Sequence, residues 1–163
     1  MAAVISLNAG SSSIKFALFI LDRDRVPTLS AGGKVERIGL SPRLAIHGAD
    51  GELLHQAEWK DEASLTHGDL LSWLFDWMAS HLDGREIIAI GHRVVHGGTE
   101  FANPCLIDET VLDELEKLSS LAPLHQPHNL AAIRASSASG RTLSESVRMS
   151  LEMPDTPSRP DLL

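Results

Sequence analysis

Only one cysteine, Cys105, occurs in the sequence, so the chain forms no internal disulfide and fits a reducing compartment. No basic block is present either, and a formal net charge of −8 argues against a nucleic-acid partner. The longest apolar region, around 70–78, is interrupted by Ser72 and Asp76, so we predict no membrane span. The apolar start is short and follows no Lys or Arg, which is unlike a secretory signal. These absences favour a cytoplasmic protein.

Several motifs that identify enzymes are missing as well. The chain contains neither G-x-x-x-x-G-K-[ST] nor G-x-G-x-x-G, so we exclude a P-loop and a Rossmann fingerprint. It lacks G-x-S-x-G and any recognisable Cys/His signature, which leaves little support for a hydrolase. Two histidine pairs, His92/His96 and His125/His128, raise the question of zinc, but the chain has no H-E-x-x-H and no cysteine partners for them. We therefore predict no zinc site.

The composition of the sequence is typical of a globular protein, and its N-terminal residues have the pattern of a hairpin. With 163 residues, 43% of them hydrophobic and 22% charged, it suits one domain with a proper core. An apolar start gives way to Gly10 and three serines, and from Ile14 onward apolar residues alternate with the period of a strand. We predict a hairpin from Val4 to Phe19, with its turn from Asn8 to Ser12.

The predicted turn is suited to binding an anion. It points backbone N–H groups and the hydroxyls of Ser11 and Ser12 at one spot, and Lys15 adds a positive charge close by. Phosphate is the anion that this combination fits best. The alternative is an ordinary hairpin with a polar turn, because serine-rich turns are common.

Further along the chain, strand patterns give way to a helix pattern. We predict a strand over 34–38 and a hairpin over 44–57, so the first third reads as antiparallel strands. Apolar residues at helical spacing then predict a helix over 67–82, with Ser64 or Thr66 as its N-cap.

The second half of the chain alternates between a strand, helices and loops. An apolar run over 86–90 predicts a buried strand, and Asp108 is placed to cap a following helix. The stretch 122–129 reads as a loop, and Pro127 can open a further helix.

Arg93 and His125 are the side chains best placed for chemistry. Arg93 stands at the end of the buried run, where active-site groups are often found, and its planar fork matches a carboxylate or a phosphate. His125 lies in a proline-bounded loop and can donate a hydrogen bond or stabilise charge. The alternatives are a surface ion pair for Arg93 and an ordinary loop histidine for His125.

Three stretches together resemble the acetate kinase (acetokinase) family: L-N-A-G-S-S-S-I-K-F at 7–16, G-H-R-V-V-H-G-G at 91–98 and A-P-L-H-Q-P-H-N at 122–129. They occur in the family's order and at about its spacing, and the resemblance runs from Val4 to Ile133. It implies an α/β fold, the ribonuclease H-like N-terminal domain of an acetate/sugar kinase–Hsp70–actin fold, with a mixed sheet and flanking helices. Family members have two domains and more than twice this length, so the resemblance covers an N-terminal domain at 1–135, and the fold is incomplete.

The resemblance implies roles for residues of the first hairpin. Asn8 matches the residue placed at the magnesium ion. Ser11, Ser12 and Lys15 match the loop that binds the phosphates of ATP. The implied reaction converts ATP and acetate into ADP and acetyl phosphate, with Mg²⁺ as the cofactor and ATP as a co-substrate.

The resemblance also implies roles around the carboxylate substrate. Arg93 matches the arginine that holds acetate or a similar short carboxylate, and Val95 matches the residue beside the methyl group. His125 matches a histidine near the transferring phosphoryl group. In phosphoryl transfer, positioning and cationic donors carry most of the catalysis, which agrees with these residue types.

The resemblance ends abruptly after Arg134. The family continues into a segment like F-D-T-A-F-H, which contributes an aspartate and a histidine to the active site, whereas this chain continues with S-S-A-S-G-R at 136–141. We therefore predict a divergent, mobile tail over 136–163, which looks like a shifted reading frame or a truncated gene, and an inactive chain. Full-length members form homodimers, a property that we do not carry over to this chain.

Two alternatives to an acetate kinase stay open. One is a non-catalytic remnant that binds anions or a partner subunit. The other is a related butyrate, propionate or sugar kinase, although the stretches at 91–98 and 122–129 favour acetate kinase over that option.

Overall fold

The computed structural model describes residues 2–60, 64–94, 97, 101, 103–138 and 148–150. In chain order its first elements are β1 (Ala2–Ala9), β2 (Ser13–Leu21), β3 (Pro27–Glu36), β4 (Arg43–Gly48), β5 (Leu53–Glu58) and α1 (His67–Ser80). The later elements are β6 (Glu86–Arg93), α2 (Glu109–Lys117), a short 3-10 helix (Leu118–Ser120), α3 (Gln126–Ala138) and β7 (Arg148–Ser150).

Within the described residues the strands form one seven-stranded mixed sheet in the order β5-β4-β3-β2-β1-β6-β7. Each of the first four strands pairs antiparallel with the next, whereas β6 runs parallel to β1 and β7 runs parallel to β6. The predicted first hairpin, the antiparallel strands of the first third and the α/β class with flanking helices are all confirmed. β1 therefore pairs on one side with its hairpin partner and on the other with a strand from much later in the chain.

Helices α1 and α3 pack on this sheet, and α2 packs on α3. Alternate residues of β1 are fully or nearly fully buried, and they share a core with the apolar stripe of α1 that includes Leu71 and Leu74. These buried residues of β1 are Ala3, Ile5, Leu7 and Ala9. The intervening residues Val4, Ser6 and Asn8 are only half-buried and belong to the opposite face.

The N-terminus of α1 is fixed by a reciprocal cap. The Thr66 hydroxyl accepts a hydrogen bond from the Asp69 N–H, and the Asp69 carboxylate accepts one from the Thr66 N–H at 2.8 Å. Hydrogen bonds from the Thr66 side chain and backbone hold the pKa of Asp69 below its ordinary value. Of the two predicted caps, Thr66 is therefore the one used.

A second, smaller core joins α2 to α3. Leu112 and Leu115 of α2 pack with Leu130 and Ile133 of α3. The predicted cap of α2 is confirmed, because the Asp108 carboxylate accepts a hydrogen bond from the Val111 N–H at 2.8 Å.

Helix α3 begins earlier than the sequence predicted. Residues 126–129 belong to the helix, so the predicted loop 122–129 is wrong in its second half. Pro127 lies in the first turn of the helix, where a missing N–H costs no intrahelical bond, as the sequence predicted.

Strand β3 is longer than predicted and includes the glycine pair at 32–33. It spans Pro27–Glu36, not 34–38. A Cβ built on Gly33 would lie 2.3 Å from the Ala45 carbonyl oxygen and 3.0 Å from the Phe16 ring. Glycine is therefore used within this strand because the neighbouring backbone approaches closely, and it does not end the strand.

The predicted tail begins inside a helix. Helix α3 continues through residue 138, with the Ser136 side chain fully buried, and Arg148–Ser150 pairs with β6. Apolar and polar residues alternate over 147–153 in the sequence, a pattern that is compatible with such a strand. The rest of the predicted mobile tail lies outside the described residues, so its mobility stays a prediction. Within the described ranges no helix combines the length and the apolar character needed to cross a membrane.

Candidate active site

Three of the predicted site residues lie in one row across three neighbouring strands. Asn8 of β1 is the cross-strand partner of Lys15 on β2. On the other side of β1, the parallel register with β6 ends at the pair of Leu7 and His92, and Asn8 and Arg93 are the residues that follow this pair. Because Leu7 and His92 face the core, the alternation of side chains places this row on the opposite face. The Lys15 and Arg93 side chains are exposed there, and Asn8 is half-buried.

The turn between β1 and β2 lies at the same end of the sheet. The Gly10 N–H donates to the Ser13 carbonyl at 2.8 Å, and the Ser12 carbonyl accepts from the Ile38 N–H at 3.1 Å. Ser11 and Ser12 are exposed. These two backbone hydrogen bonds stabilise the turn, whereas Ser11 and Ser12 face solvent close to the end of the strand that carries Asn8.

Two side chains from the helices hold the carbonyl groups that lead into this turn. Asn129 of α3 donates from Nδ2 to the Ala9 carbonyl at 2.6 Å. His67, the first residue of α1, bonds through Nε2 to the Gly10 carbonyl at 2.7 Å. Because a carbonyl oxygen can only accept, Nε2 of His67 carries the proton. Sequence reasoning missed both residues, since His67 belongs to no motif and Asn129 lay in a recognised stretch without a role.

His125 is exposed and lies at the edge of a group of three histidines. The His67 and His128 rings lie 4.6 Å apart between their centroids, at an angle of 30°. Burial, and then the nearby charges of His67 and His125, lower the pKa of His128. The structure thus places His125 near His128 in this histidine group, whose His67 contacts the turn, and not in the row on β2, β1 and β6.

His92 anchors the strand end that carries Arg93. Ser136 donates its hydroxyl proton to the Ala132 carbonyl at 2.8 Å, so His92 Nε2, at 3.1 Å, donates to the Ser136 oxygen. Both side chains are buried, and burial lowers the pKa of His92 from 6.5 to about 4. A neutral histidine and a serine therefore join β6 to α3 directly below the exposed Arg93.

The depressed pKa of His92 makes stability depend on pH in a defined direction. The unfolded chain binds a proton near pH 6.5 and the folded chain only near 4, so stability is lost as pH falls through that window. We expect the free energy of unfolding, measured with urea at a series of pH values, to depend less steeply on pH in His92→Gln. The exposed His47→Gln serves as the control. Equal slopes in His92→Gln and the parent chain would contradict this assignment.

The residues present fit a magnesium ion that is held mainly by water and by the phosphates of a bound nucleotide. Among the described residues, no group of three His, Cys, Asp or Glu side chains is arranged to hold a metal. Mg²⁺ usually keeps several waters and takes one or two protein oxygens together with phosphates. The half-buried amide of Asn8, next to the cation Lys15, can supply one such oxygen. Val95, the residue predicted to lie beside the substrate methyl group, lies outside the described residues.

Comparisons with known sequences extend over most of the chain. The family model described as the acetokinase family matches residues 3–147. An acetate kinase of Rhizobium meliloti is 45% identical over 135 residues, which cover 82% of this chain and 34% of the relative. One of Coprothermobacter proteolyticus is 41% identical over 140 residues, with 83% and 34% coverage. The chain spans about a third of the length of these curated relatives.

Solved structures give the same picture of the fold. A propionate kinase from Francisella tularensis matches with a TM-score of 0.72 and 29% identity, over 91% of this chain and 36% of that one. An acetate kinase from Porphyromonas gingivalis matches with a TM-score of 0.65 and 28% identity, with the same coverage of 91% and 36%. The incomplete mixed α/β fold of this chain therefore corresponds to part of these larger kinases.

Proposed function

The chain belongs to the acetokinase family, and from that premise we propose that it forms the N-terminal part of a kinase acting on a short carboxylate. In the proposed reaction a carboxylate oxygen of acetate attacks the γ-phosphorus of ATP, and the bond to the bridging oxygen of ADP breaks. The products are acetyl phosphate and ADP. The observation that carries the proposal is the row formed by Lys15, Asn8 and Arg93 on one face of the sheet.

The spacing of this row suits two anionic groups side by side. Neighbouring strands are about 4.8 Å apart, so the backbones at Lys15 and Arg93, on either side of β1, are about 10 Å apart. In the proposal the guanidinium fork of Arg93 binds the carboxylate, and Lys15 with the turn of Ser11 and Ser12 binds the phosphates. Asn8 lies between them, where the terminal phosphoryl group would pass.

The remaining groups of the proposed site stabilise the negative charge on the phosphoryl group during its transfer. Magnesium, with Asn8 as one ligand, would neutralise charge on the β- and γ-phosphate oxygens. In the proposal His125 donates to the phosphoryl group and Val95 is the residue for the substrate methyl group, both as the family resemblance implies. Little covalent chemistry is required of the protein, because orienting the two anions and stabilising their charge supplies most of the catalysis.

The proposal leaves acetate and propionate as close competitors. One of the similar solved structures is a propionate kinase, and another is an acetate kinase. One methylene group in an apolar pocket changes discrimination by only about 1–3 kcal/mol. The substrate class that we propose is therefore a short unbranched carboxylate, with acetate as the first member.

A chimera tests this function in a complete enzyme. Residues 3–138 of this chain would replace the matching segment of the Rhizobium meliloti acetate kinase, which is 45% identical over 135 residues. We expect the chimera to form acyl phosphate from acetate and propionate with ATP and Mg²⁺, because the row and the turn supply the N-terminal half of the site. The measurement is trapping of the product as hydroxamate, with the parent relative assayed in parallel.

A cooperative thermal transition would establish that the chimera folds. A folded chimera that binds ATP but phosphorylates neither carboxylate would contradict the proposal and favour an anion-binding remnant. A folded chimera that phosphorylates a sugar or butyrate in preference would identify a different kinase of the same fold.

A further inference from the structure

We propose that His67 and Asn129 are positioning residues that orient the backbone of the turn for anion binding. His67 bonds to the Gly10 carbonyl at 2.7 Å, and Asn129 bonds to the Ala9 carbonyl at 2.6 Å. The inference rests on the proposed function, in which the turn binds a phosphate. It adds two residues that need not touch the anion themselves.

Planar peptide geometry explains how a carbonyl contact orients an N–H group. In a trans peptide the C=O and the following N–H lie in one plane and point in opposite directions. When the Gly10 carbonyl is held against His67, the Ser11 N–H must point away from α1, to the side of the turn where Ser11 is exposed. His67 thus determines where the Ser11 donor points.

The second contact fixes the preceding peptide in the same way. Asn129 holds the Ala9 carbonyl, so the Gly10 N–H points to the opposite side, where it donates to the Ser13 carbonyl at 2.8 Å. Two successive peptide planes are therefore set by two helices. A turn whose donors are oriented before the anion arrives loses less conformational entropy on binding.

Both positioning side chains are themselves held in place. His67 is buried at the first turn of α1, directly after the N-cap residue Thr66, and the centroid of its ring lies 4.6 Å from that of His128. Asn129 is buried in the first turns of α3. Each therefore transmits the position of a helix to the turn and has little freedom to follow the turn if it moves.

The alternative is that these contacts only stabilise the fold. Substitutions at His67 separate the two roles, because glutamine places its amide nitrogen close to the position of Nε2, whereas asparagine places it close to Nδ1. The Nε2 atom is the one that contacts the Gly10 carbonyl. His67→Gln and His67→Asn are both polar and of comparable size, so they differ mainly in whether the donor reaches the carbonyl.

The experiment is a titration of the ¹⁵N-labelled 163-residue chain with inorganic phosphate, followed at the Ser11 amide signal. We expect His67→Asn and His67→Leu to weaken phosphate binding roughly three- to tenfold, the range for one lost hydrogen bond, and His67→Gln to retain most of the affinity. His81→Leu, at the other end of α1, is the matched control and should bind as the parent chain does.

The outcomes separate this inference from the proposed function. If the parent chain shows no phosphate-dependent shift at Ser11, the anion site and this inference both fail. If the parent chain binds phosphate and all His67 variants bind it equally, only the positioning role is overturned, even where thermal stability falls. Should His67→Leu not fold, the comparison of His67→Gln with His67→Asn decides, and equal affinities in that pair would overturn the inference.

Discussion

A polypeptide of these 163 residues alone is expected to form no measurable acetyl phosphate. The proposed site residues Ser11, Ser12, Lys15, Arg93 and His125 are all exposed. Charged contacts made in water are weak, because the high dielectric constant screens them. Phosphoryl transfer requires a site that excludes water and aligns the two reactants, which an open sheet face does not provide.

The size of the expected loss follows from how catalytic groups cooperate. Groups that act as a unit are strongly non-additive, so the part of the site on this sheet does not retain a proportional part of the rate. The chain spans about a third of the length of its relatives. Anion binding at the turn is a local property and is expected to survive.

The assay traps acetyl phosphate as hydroxamate, with acetate, ATP and Mg²⁺ in excess over the purified chain. The active chimera described above is the positive control. Turnover that rises in proportion to the chain concentration and disappears in Arg93→Ala would contradict the prediction. Such a result would show that residues of the tail or a second copy of the chain complete the site.

Loss of the Arg93 side chain is expected to have the largest effect of any single substitution on carboxylate use. In the chimera, Arg93→Ala should lower kcat/KM for acetate. The corresponding activation free energy should rise by about 2–4 kcal/mol, the scale of a lost charge-assisted bond or transition-state donor. Arg93→Lys should restore little, because an ammonium group lacks the planar fork that binds both carboxylate oxygens. The measurement is the initial rate as a function of acetate concentration at saturating ATP.

Arg43→Ala is the matched control for this substitution. Arg43 lies on β4 of the same sheet and pairs with Glu58 at 2.8 Å, with more than half of its side chain exposed. Such surface pairs contribute little, so acetate kinetics should not change. Near-parental kinetics in Arg93→Lys would show that Arg93 acts only as a diffuse positive charge and would refute the carboxylate assignment.

Local pattern accounts for the elements that could be predicted from the sequence. The hairpin of β1 and β2, the helix α1 and the caps Thr66 and Asp108 are each determined by residues close together in the chain. Alternation, helical spacing and capping chemistry are short-range signals, and they were sufficient here. Strand β3 is longer than its prediction because it pairs with β2 and β4, and the close approach of Ala45 leaves no room for a side chain at Gly33.

The parts of the candidate site that could not be predicted depend on contacts between distant residues. His67 meets Gly10 across 57 positions of the chain, and Asn129 meets Ala9 across 120. Local sequence periodicity does not predict such a pairing, because neither partner stands out from the residues around it. The individual side chains Asn8, Lys15 and Arg93 were chosen from local patterns and a family resemblance, but their common row required the register of β1 with β6.

The parallel pairing of β1 with β6 has a consequence for the order of folding. The contacts among β1 to β5 are between neighbouring strands of the chain, whereas joining β6 closes a loop that contains four strands and α1. Closing a long loop costs more entropy, and non-local strand pairs form slowly. We infer that Arg93 reaches Lys15 and Asn8 only late in folding. A ligand that bridges Lys15 and Arg93 would then act mainly by slowing unfolding, and would accelerate folding little.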